Sequence, residues 1–420
     1  MAHIQDRWYR EVPDADNPRR KNRIPTARHG IGMRYKVRYL TPGGEERSRA
    51  FPDGQLKAAK EWKAQRESDL ARGTYVDPRA GKVRLRDFAA QWLASLDVDE
   101  SSRENLEMRI RRRVLPYFGN TELGAIKPSG LRSWDRWLRE EGLSERYRHT
   151  LFCNLSAMFT AAVDDDLVPK SPFASKSVKK PTPAKHKVIP WPEHQVWAVQ
   201  RALHPRFAVT VDLGAGLGLR QGECFGLAVD DVDFLRSVVH VQRLVKYVRG
   251  KHVFAPPKYG KTRDVPLSEP VKLALAEHLR RHPPITVTLP WEVPGGPEQS
   301  HRLVLSAVRG GVVDAHDFNE YQWKPALRAA GVSCGRYENG MHQLRHFFAS
   351  VLLDQGESIK AVAEWLGHSD PSFTLKTYTH LMPSSTERTK GVIGSLYSRR
   401  HASQDPDGPY TAQEDQVTKK

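Results

Sequence analysis

Residues 171–190 read SPFASKSVKKPTPAKHKVIP, with five lysines, four prolines and no acid. Each proline removes a backbone donor and fixes φ, and unopposed lysines repel one another, so such a stretch extends instead of packing. The chain must then fold as separate units on either side, joined by a basic linker over residues 176–187. A length of 420 residues agrees, since about 150 residues per domain gives two to three domains. Lys plus Arg number 66 against 49 Asp plus Glu, a net charge of +17. A polyanion is the partner for which so large a field has an energetic use. Lys176, Lys179, Lys180, Lys185 and Lys187 either neutralise that partner or simply keep two domains apart in water.

Residues 1–80 predict a small sheet-plus-helix domain with a flexible N-terminus. In RYKVRYL, Tyr35, Val37 and Tyr39 alternate with Lys36 and Arg38, the period of a half-buried strand. TPGGEE turns the chain into a second strand, RSRAF, and Leu56, Ala59 and Trp62 then recur at helical spacing. The helix covers a sheet too thin to stand alone. This segment holds 18 Lys or Arg against 11 acids. Lys36 and Arg38, on the open face, form either a solvated basic surface or a surface that reads DNA.

Residues 83–175 predict an all-helical domain: Leu85, Phe88, Trp92 and Leu96 share one stripe, Leu106, Ile110 and Leu115 another, and Arg109, Arg111, Arg112 and Arg113 give a basic edge. Residues 188–397 are mixed and mainly helical, with a stranded block at 237–267; the turn-rich residues 283–311 read as a loop insertion with edge strands, and residues 398–420 as a flexible tail. The expected fold class is therefore multidomain α+β. Cys153, Cys224 and Cys334 lack metal-ligand spacing and read as reduced, partly buried residues of a cytosolic protein. No run of 18 apolar residues occurs and the first residues are charged, so neither membrane insertion nor secretion is expected.

The third segment carries polar landmarks in apolar settings. Gly216, Gly218 and Gly222 surround Arg220, which either emerges from a core edge or merely pairs with Glu223 three positions on. Lys258, with Lys261 as the reserve, lies in an expected hairpin between strands near 253–254 and 263–267. His342 and Arg345 share a helix face beside the stripe Leu344, Phe348 and Val351. A following helix, 358–366, stops at Gly367 and leaves His368 just beyond its end. Asp370 and Pro371 open a last helix bearing Tyr378. Any one of these is compatible with packing or an ordinary ion pair. Together, two arginines, a lysine and two histidines are the groups a phosphodiester needs when a tyrosine oxygen attacks it: cations for the developing charge, acids and bases for the protons.

In this order the motifs resemble the tyrosine recombinase family, in particular a phage or integrative-element integrase. The resemblance implies that Arg220 and Arg345 clamp the phosphate and that Lys258 protonates the departing 5′ oxygen. His342 would take part in proton transfer at the tyrosine, His368 would orient the phosphate, Glu223 would support the first arginine, and Tyr378 would be the nucleophile. It further implies an arm-site DNA-binding domain at 1–80, a core-binding domain at 83–175 and a catalytic domain at 188–397. The products are a 3′-phosphotyrosyl intermediate and a 5′-hydroxyl, exchanged between duplex attachment sites with core and arm sequences. The resemblance implies a homotetramer passing through a Holliday junction, assisted by a host bending factor or an excision factor, in the cytoplasm and at the nucleoid of a bacterial host. No cofactor or metal is required by this residue set. A tyrosine topoisomerase, which reseals the original strand, and a non-catalytic DNA-binding regulator are the alternatives; strand exchange and a covalent adduct, respectively, discriminate them.

Overall fold

The computed structural model describes residues 2–13, 21–184 except 74, 76 and 78, 188–378 except 336 and 337, and 390–398 except 392 and 396. Two compact units result, Met1–Lys185 and His186–Lys420. Among the described residues no helix is long and apolar enough to cross a membrane.

In the first unit, strands β1 (His3–Asp6), β4 (Tyr35–Leu40) and β5 (Glu46–Phe51) form an antiparallel sheet in the order β1-β4-β5. β2 (Tyr9–Pro13) and β3 (Lys21–Pro25) form a separate hairpin. The alternation in β4 works as expected: Tyr35, Val37 and Tyr39 are buried, and Tyr35 and Val37 pack with Ala59 and Trp62 of helix α1 (Leu56–Ala71). The N-terminus expected to be flexible instead contributes three strands. Its one apolar residue in β1, Ile4, gives no alternation to read; β1 is held by ladder pairing to β4, His3 opposite Arg38.

The rest of this unit is helical: α2 (Leu85–Ser95), α3 (Glu100–Arg109), the short α4 (Leu115–Phe118), α5 (Pro128–Glu140) and α6 (Glu145–Asp164). Asp99 and Ser144 cap α3 and α6 by accepting the Ser102 and Tyr147 amides. Leu85, Phe88, Leu106, Ile110, Trp134 and Phe152 meet in one core. The first part of the basic segment docks on this bundle. Phe173 and Val178 pack against the core, Arg132 Nη1 donates to Ser177 Oγ at 2.7 Å, and His149 Nδ1 lies 2.6 Å from the Pro181 carbonyl.

The second unit opens with α7 (Glu193–Ala202), α8 (Pro205–Val211) and α9 (Gln221–Gly226). Strands β6 (Val232–Asp233), β7 (Val238–Val241) and β10 (Arg263–Pro266) make a sheet ordered β10-β7-β6, while β8 (Leu244–Val248) pairs with β9 (Lys251–Ala255). The hairpin expected to carry Lys258 therefore does not form, because β9 and β10 pair with different partners. Pro256 and Pro257 follow β9 at once, and residues without an N–H cannot continue its ladder. Lys258 sits instead on the crossing between two sheets. After α10 (Glu269–Arg281), the stretch expected as a loop insertion holds two paired strands, β11 (Ile285–Pro290) and β12 (Glu298–Leu303). The remaining helices are α11 (Ala315–Phe318), α12 (Lys324–Ala329), α13 (His342–Asp354), α14 (Ile359–Leu366) and α15 (Pro371–Tyr378). Leu213, Leu217, Leu219, Leu344, Phe348, Val362 and Leu366 join α13 and α14 to the turn before α9.

Candidate active site

The C-terminus of α14 organises the site. Ser358 caps its start by accepting the Ala361 amide, and Gly367 ends it in the left-handed region at φ 63°. The Gly367 amide bonds the Glu364 carbonyl at 2.8 Å and the His368 amide that of Ala363 at 2.9 Å. The next three carbonyls turn outward, and each accepts from a different arginine: Trp365 from Arg263 Nε at 2.6 Å, Leu366 from Arg345 Nη2, and Gly367 from Arg220 Nη2 at 3.4 Å. The negative end of the helix thus holds three guanidinium groups together.

Glu223 is their buried counter-ion. Its Oε1 accepts from Arg220 Nη1 at 2.8 Å and Arg263 Nη1 at 3.0 Å, and its Oε2 from Arg263 Nη2 at 2.7 Å and the Arg220 amide at 2.9 Å. The last contact closes the first turn of α9, with Arg220 at the N-cap and Glu223 at the third helical position. Burial alone would raise this carboxyl; the hydrogen bonds and charge of Arg263, with the charge of Arg220, outweigh it and hold the group at about 2. Arg345, 1% exposed, also donates Nη1 to the Gly218 carbonyl at 2.7 Å. Gly218 must be glycine: φ is +64°, and a Cβ there would lie 2.6 Å from Phe348 Cδ1.

Arg220, Lys258, His342, Arg345 and His368 line one cavity of about 440 Å³, with Tyr259, Gly367, Ser369, Asp370 and Phe373. Lys261 is not among its lining residues. Three arginines share one internal carboxylate, and the Asp370 carboxylate is engaged by the Ser372 amide at 2.8 Å as the cap of α15. Such a cavity is built to hold an oxyanion. His368 Nδ1 lies 2.6 Å from Oγ1 of the fully buried Thr374, which fixes the ring. Burial, then the charges of Arg345 and Arg220, push His368 down to about 3, and the same causes lower His342.

Tyr378 ends α15 with its ring buried, 2% exposed. Its hydroxyl lies 2.6 Å from Nδ1 of His346, one turn after His342 on α13, and the two imidazoles pack edge to face at 4.6 Å. Burial raises the phenol to about 12 against the opposing pull of Arg345. His346 is lowered by burial, then by His342 and Arg345. The residue bonded to the tyrosine is therefore His346, where the family resemblance had assigned proton transfer to His342.

These histidines make the second unit acid-sensitive. His342, His346, His368 and the buried His278, whose Nε2 donates to the Val304 carbonyl at 3.0 Å, all sit below the ordinary value of 6.5. Between their lowered values and 6.5 the unfolded chain binds more protons, so stability is complete above 6.5 and is lost as pH falls below it. Thermal unfolding should show a lower midpoint at pH 5 than at pH 7; an unchanged midpoint would contradict neutral, buried imidazoles.

Comparison with known proteins places the chain in a family. The profile of the phage integrase family matches residues 197–384, and that of the phage integrase N-terminal SAM-like domain matches residues 84–136. The chain belongs to the phage integrase family. A tyrosine recombinase XerC-like protein of Caldanaerobacter subterraneus subsp. tengcongensis is 26% identical over 364 residues, 81% of this chain and 90% of that protein. The ICEBs1 integrase of Bacillus subtilis is 23% identical, covering 77% of this chain and 87% of that one. A solved Tn1549 transposon integrase in complex with transposon right end DNA superposes with a TM-score of 0.60 at 20% identity, covering 74% of this chain and 98% of that one. A lambda integrase tetramer bound to a Holliday junction gives a TM-score of 0.53 at 16% identity, covering 81% and 92%. These structural likenesses show the shared fold.

Within the candidate site of this integrase-family chain, two residues escaped the sequence reading. Arg263 looks like an ordinary charged residue of a strand, and its partner Glu223 is 40 positions away, so no local pattern marks it. His346 carried a signal: it stands four residues after His342, on the same helix face. The DNA-contact candidates fall elsewhere. In the first unit Lys179 lines a groove of about 290 Å³ with Arg132, Arg136 and Arg139. Lys176 and Lys180 are exposed, and Lys185 and Lys187 lie outside the described residues. In the N-terminal sheet Arg38 is engaged by Glu46 Oε1 at 3.1 Å and Gln5 Oε1 at 3.2 Å, while Lys36 is half-exposed. Residues 399–420, expected as a tail, lie outside the described residues.

Proposed function

We propose that this chain performs site-specific DNA recombination, cutting and rejoining duplex DNA through a 3′-phosphotyrosyl bond at Tyr378. The observation that supports it most is the arrangement at the end of α14, where Arg220 and Arg345 are fixed by backbone carbonyls beside a cavity that Lys258, His342 and His368 also line. Arg220 and Arg345 would hold the non-bridging oxygens, with Glu223 and Arg263 keeping Arg220 in place. Tyr378 Oη attacks phosphorus, the P–O5′ bond breaks, and Lys258 supplies the proton of the departing oxygen. His342 and His368, neutral at physiological pH, would donate hydrogen bonds to the phosphate without adding charge. The energy of the broken bond is kept in the phosphotyrosyl ester, so a second 5′-hydroxyl can reverse the step onto a new strand.

The partners are duplex attachment sites, with core sequence met by residues 83–175 and 188–397 and arm sequence by residues 1–80. Lys36 and Arg38, and the lysines at 176, 179, 180, 185 and 187, would contact phosphates. A homotetramer on paired sites, aided by a host bending or excision factor in the bacterial cytoplasm and nucleoid, completes the reading. The test is a suicide substrate: a nicked duplex spanning the integration junction of the element that encodes the chain. A covalent adduct on the 3′ phosphate is expected, and recombinant product when a second site is supplied. Relaxation of supercoils without exchange would favour a topoisomerase instead.

Arg345 gives a quantitative check. Lysine keeps the charge but cannot reach the Gly218 and Leu366 carbonyls and a phosphate with one planar fork. Arg345→Lys should slow single-turnover cleavage by about 10²- to 10³-fold while duplex binding persists. A rate within threefold of wild type would contradict the clamp.

A further inference from the structure

The hydroxyl of Tyr378 lies 2.6 Å from Nδ1 of His346, and neither residue is among those lining the cavity. The phenol is 2% exposed, so bulk water is not at hand to take its proton, and among the described residues the imidazole is its one hydrogen-bond partner. His346 in turn packs against His342, whose ring lines the cavity; the ring centroids step 4.6 Å from His342 to His346 and 5.7 Å from His346 to Tyr378. A continuous row thus runs from the phosphate cavity to the nucleophile, and its middle member alone touches the reacting oxygen.

We propose that His346 is the proton acceptor for Tyr378. As the Oη–P bond forms, the Oη–H bond breaks and the proton passes to Nδ1, giving an imidazolium. In the same step the P–O5′ bond breaks and the departing oxygen takes its proton from the acid on the far side. On the return, a 5′-hydroxyl attacks the phosphotyrosyl ester and His346 gives the proton back to Oη. The assignment rests on the reading of Tyr378 as nucleophile. The resting state allows it: with both groups neutral and the ring proton on Nε2, the phenol donates and Nδ1 accepts. Burial, then His342 and Arg345, weaken the base at rest. A phosphate bound by Arg345 offsets the charge of that guanidinium, so the base gains strength when substrate is present.

The experiment uses the full chain in single turnover on the nicked junction duplex, made in two forms: the ordinary phosphodiester, and one with sulfur in place of the departing 5′ oxygen. A thiolate leaves without a proton, so defects in leaving-group protonation are rescued by sulfur and defects at the nucleophile are not. In His346→Asn the amide can still bond the phenol but cannot take its proton. His346→Asn should form adduct about 10²- to 10³-fold more slowly on both substrates with unchanged duplex binding, and imidazole added to His346→Ala should restore the rate. Lys258→Ala should be slow only on the oxygen substrate. A His346→Asn rate equal to or above wild type, or a defect erased by sulfur, would overturn the assignment. If wild type forms no adduct on either substrate, it is the reading of Tyr378 that fails, and this role with it.

Discussion

Tyr378→Phe is expected to abolish covalent attachment to DNA, with a loss on the order of 10⁴-fold or more, and to leave duplex binding intact. The change deletes one oxygen. Phenylalanine keeps the ring contact with His346, seen at 5.7 Å, and the burial of α15 against α13 and α14, so the fold persists. What disappears is the atom proposed to attack phosphorus and the hydrogen bond to His346 Nδ1, a bond worth about 1 kcal/mol of stability. The arginines around the α14 terminus are untouched, so the phosphate is still bound. Gel shift on the junction duplex should match wild type while denaturing gels show no adduct. An adduct from Tyr378→Phe would mean that another side chain is the nucleophile.

The second large effect is on stability. Glu223 carries the charges of Arg220 and Arg263 with no exposed surface on its own side chain, and Arg263 is nearly as deep, 3% exposed at the side chain. Glu223→Gln keeps the shape and removes the charge, which leaves the Arg263 guanidinium buried without a counter-ion. The cost is about 3–5 kcal/mol, or roughly a 6–20 °C drop in unfolding temperature for a unit of this size. Cleavage falls as well, because the Arg220 side chain loses the contact that aims it at the cavity. The double variant Glu223→Gln, Arg263→Met should lose much less than the sum of its parts, as the orphaned charge is gone. Additive losses would show that the pair is not coupled. Acid acts on the same group: with its folded value held at about 2 against an ordinary 4.5, its contribution is complete above 4.5 and is lost as pH falls from 4.5 through 2.

How far the sequence discloses all this depends on whether the information is local. Gly367, His368, Asp370 and Tyr378 were readable because a helix stop, a cap and a new helix start have short-range signatures, and each is found where the spacing puts it. Tyr35, Val37 and Tyr39 declared a strand by alternation. β1 did not, because its pairing with β4 is supplied by the tertiary structure and leaves no period in the side chains. The partners of β9 and β10 were misread for a related reason: nearness in sequence suggested a hairpin, whereas Pro256 and Pro257 end one ladder and the next strand joins another sheet. Arg263 is the deepest omission. Its meaning lies wholly in a bidentate contact with Glu223 and a bond to the Trp365 carbonyl, both far away along the chain.

One measurement bears on the central claim without relying on any variant. Wild-type protein trapped on the nicked junction duplex can be digested with protease and nuclease, and the residual nucleotide located by mass spectrometry. The account predicts a single modified peptide, TLKTYTHL and its flanks, with the nucleotide on Tyr378 through its 3′ phosphate. Attachment to any other side chain, or through a 5′ phosphate, would contradict it.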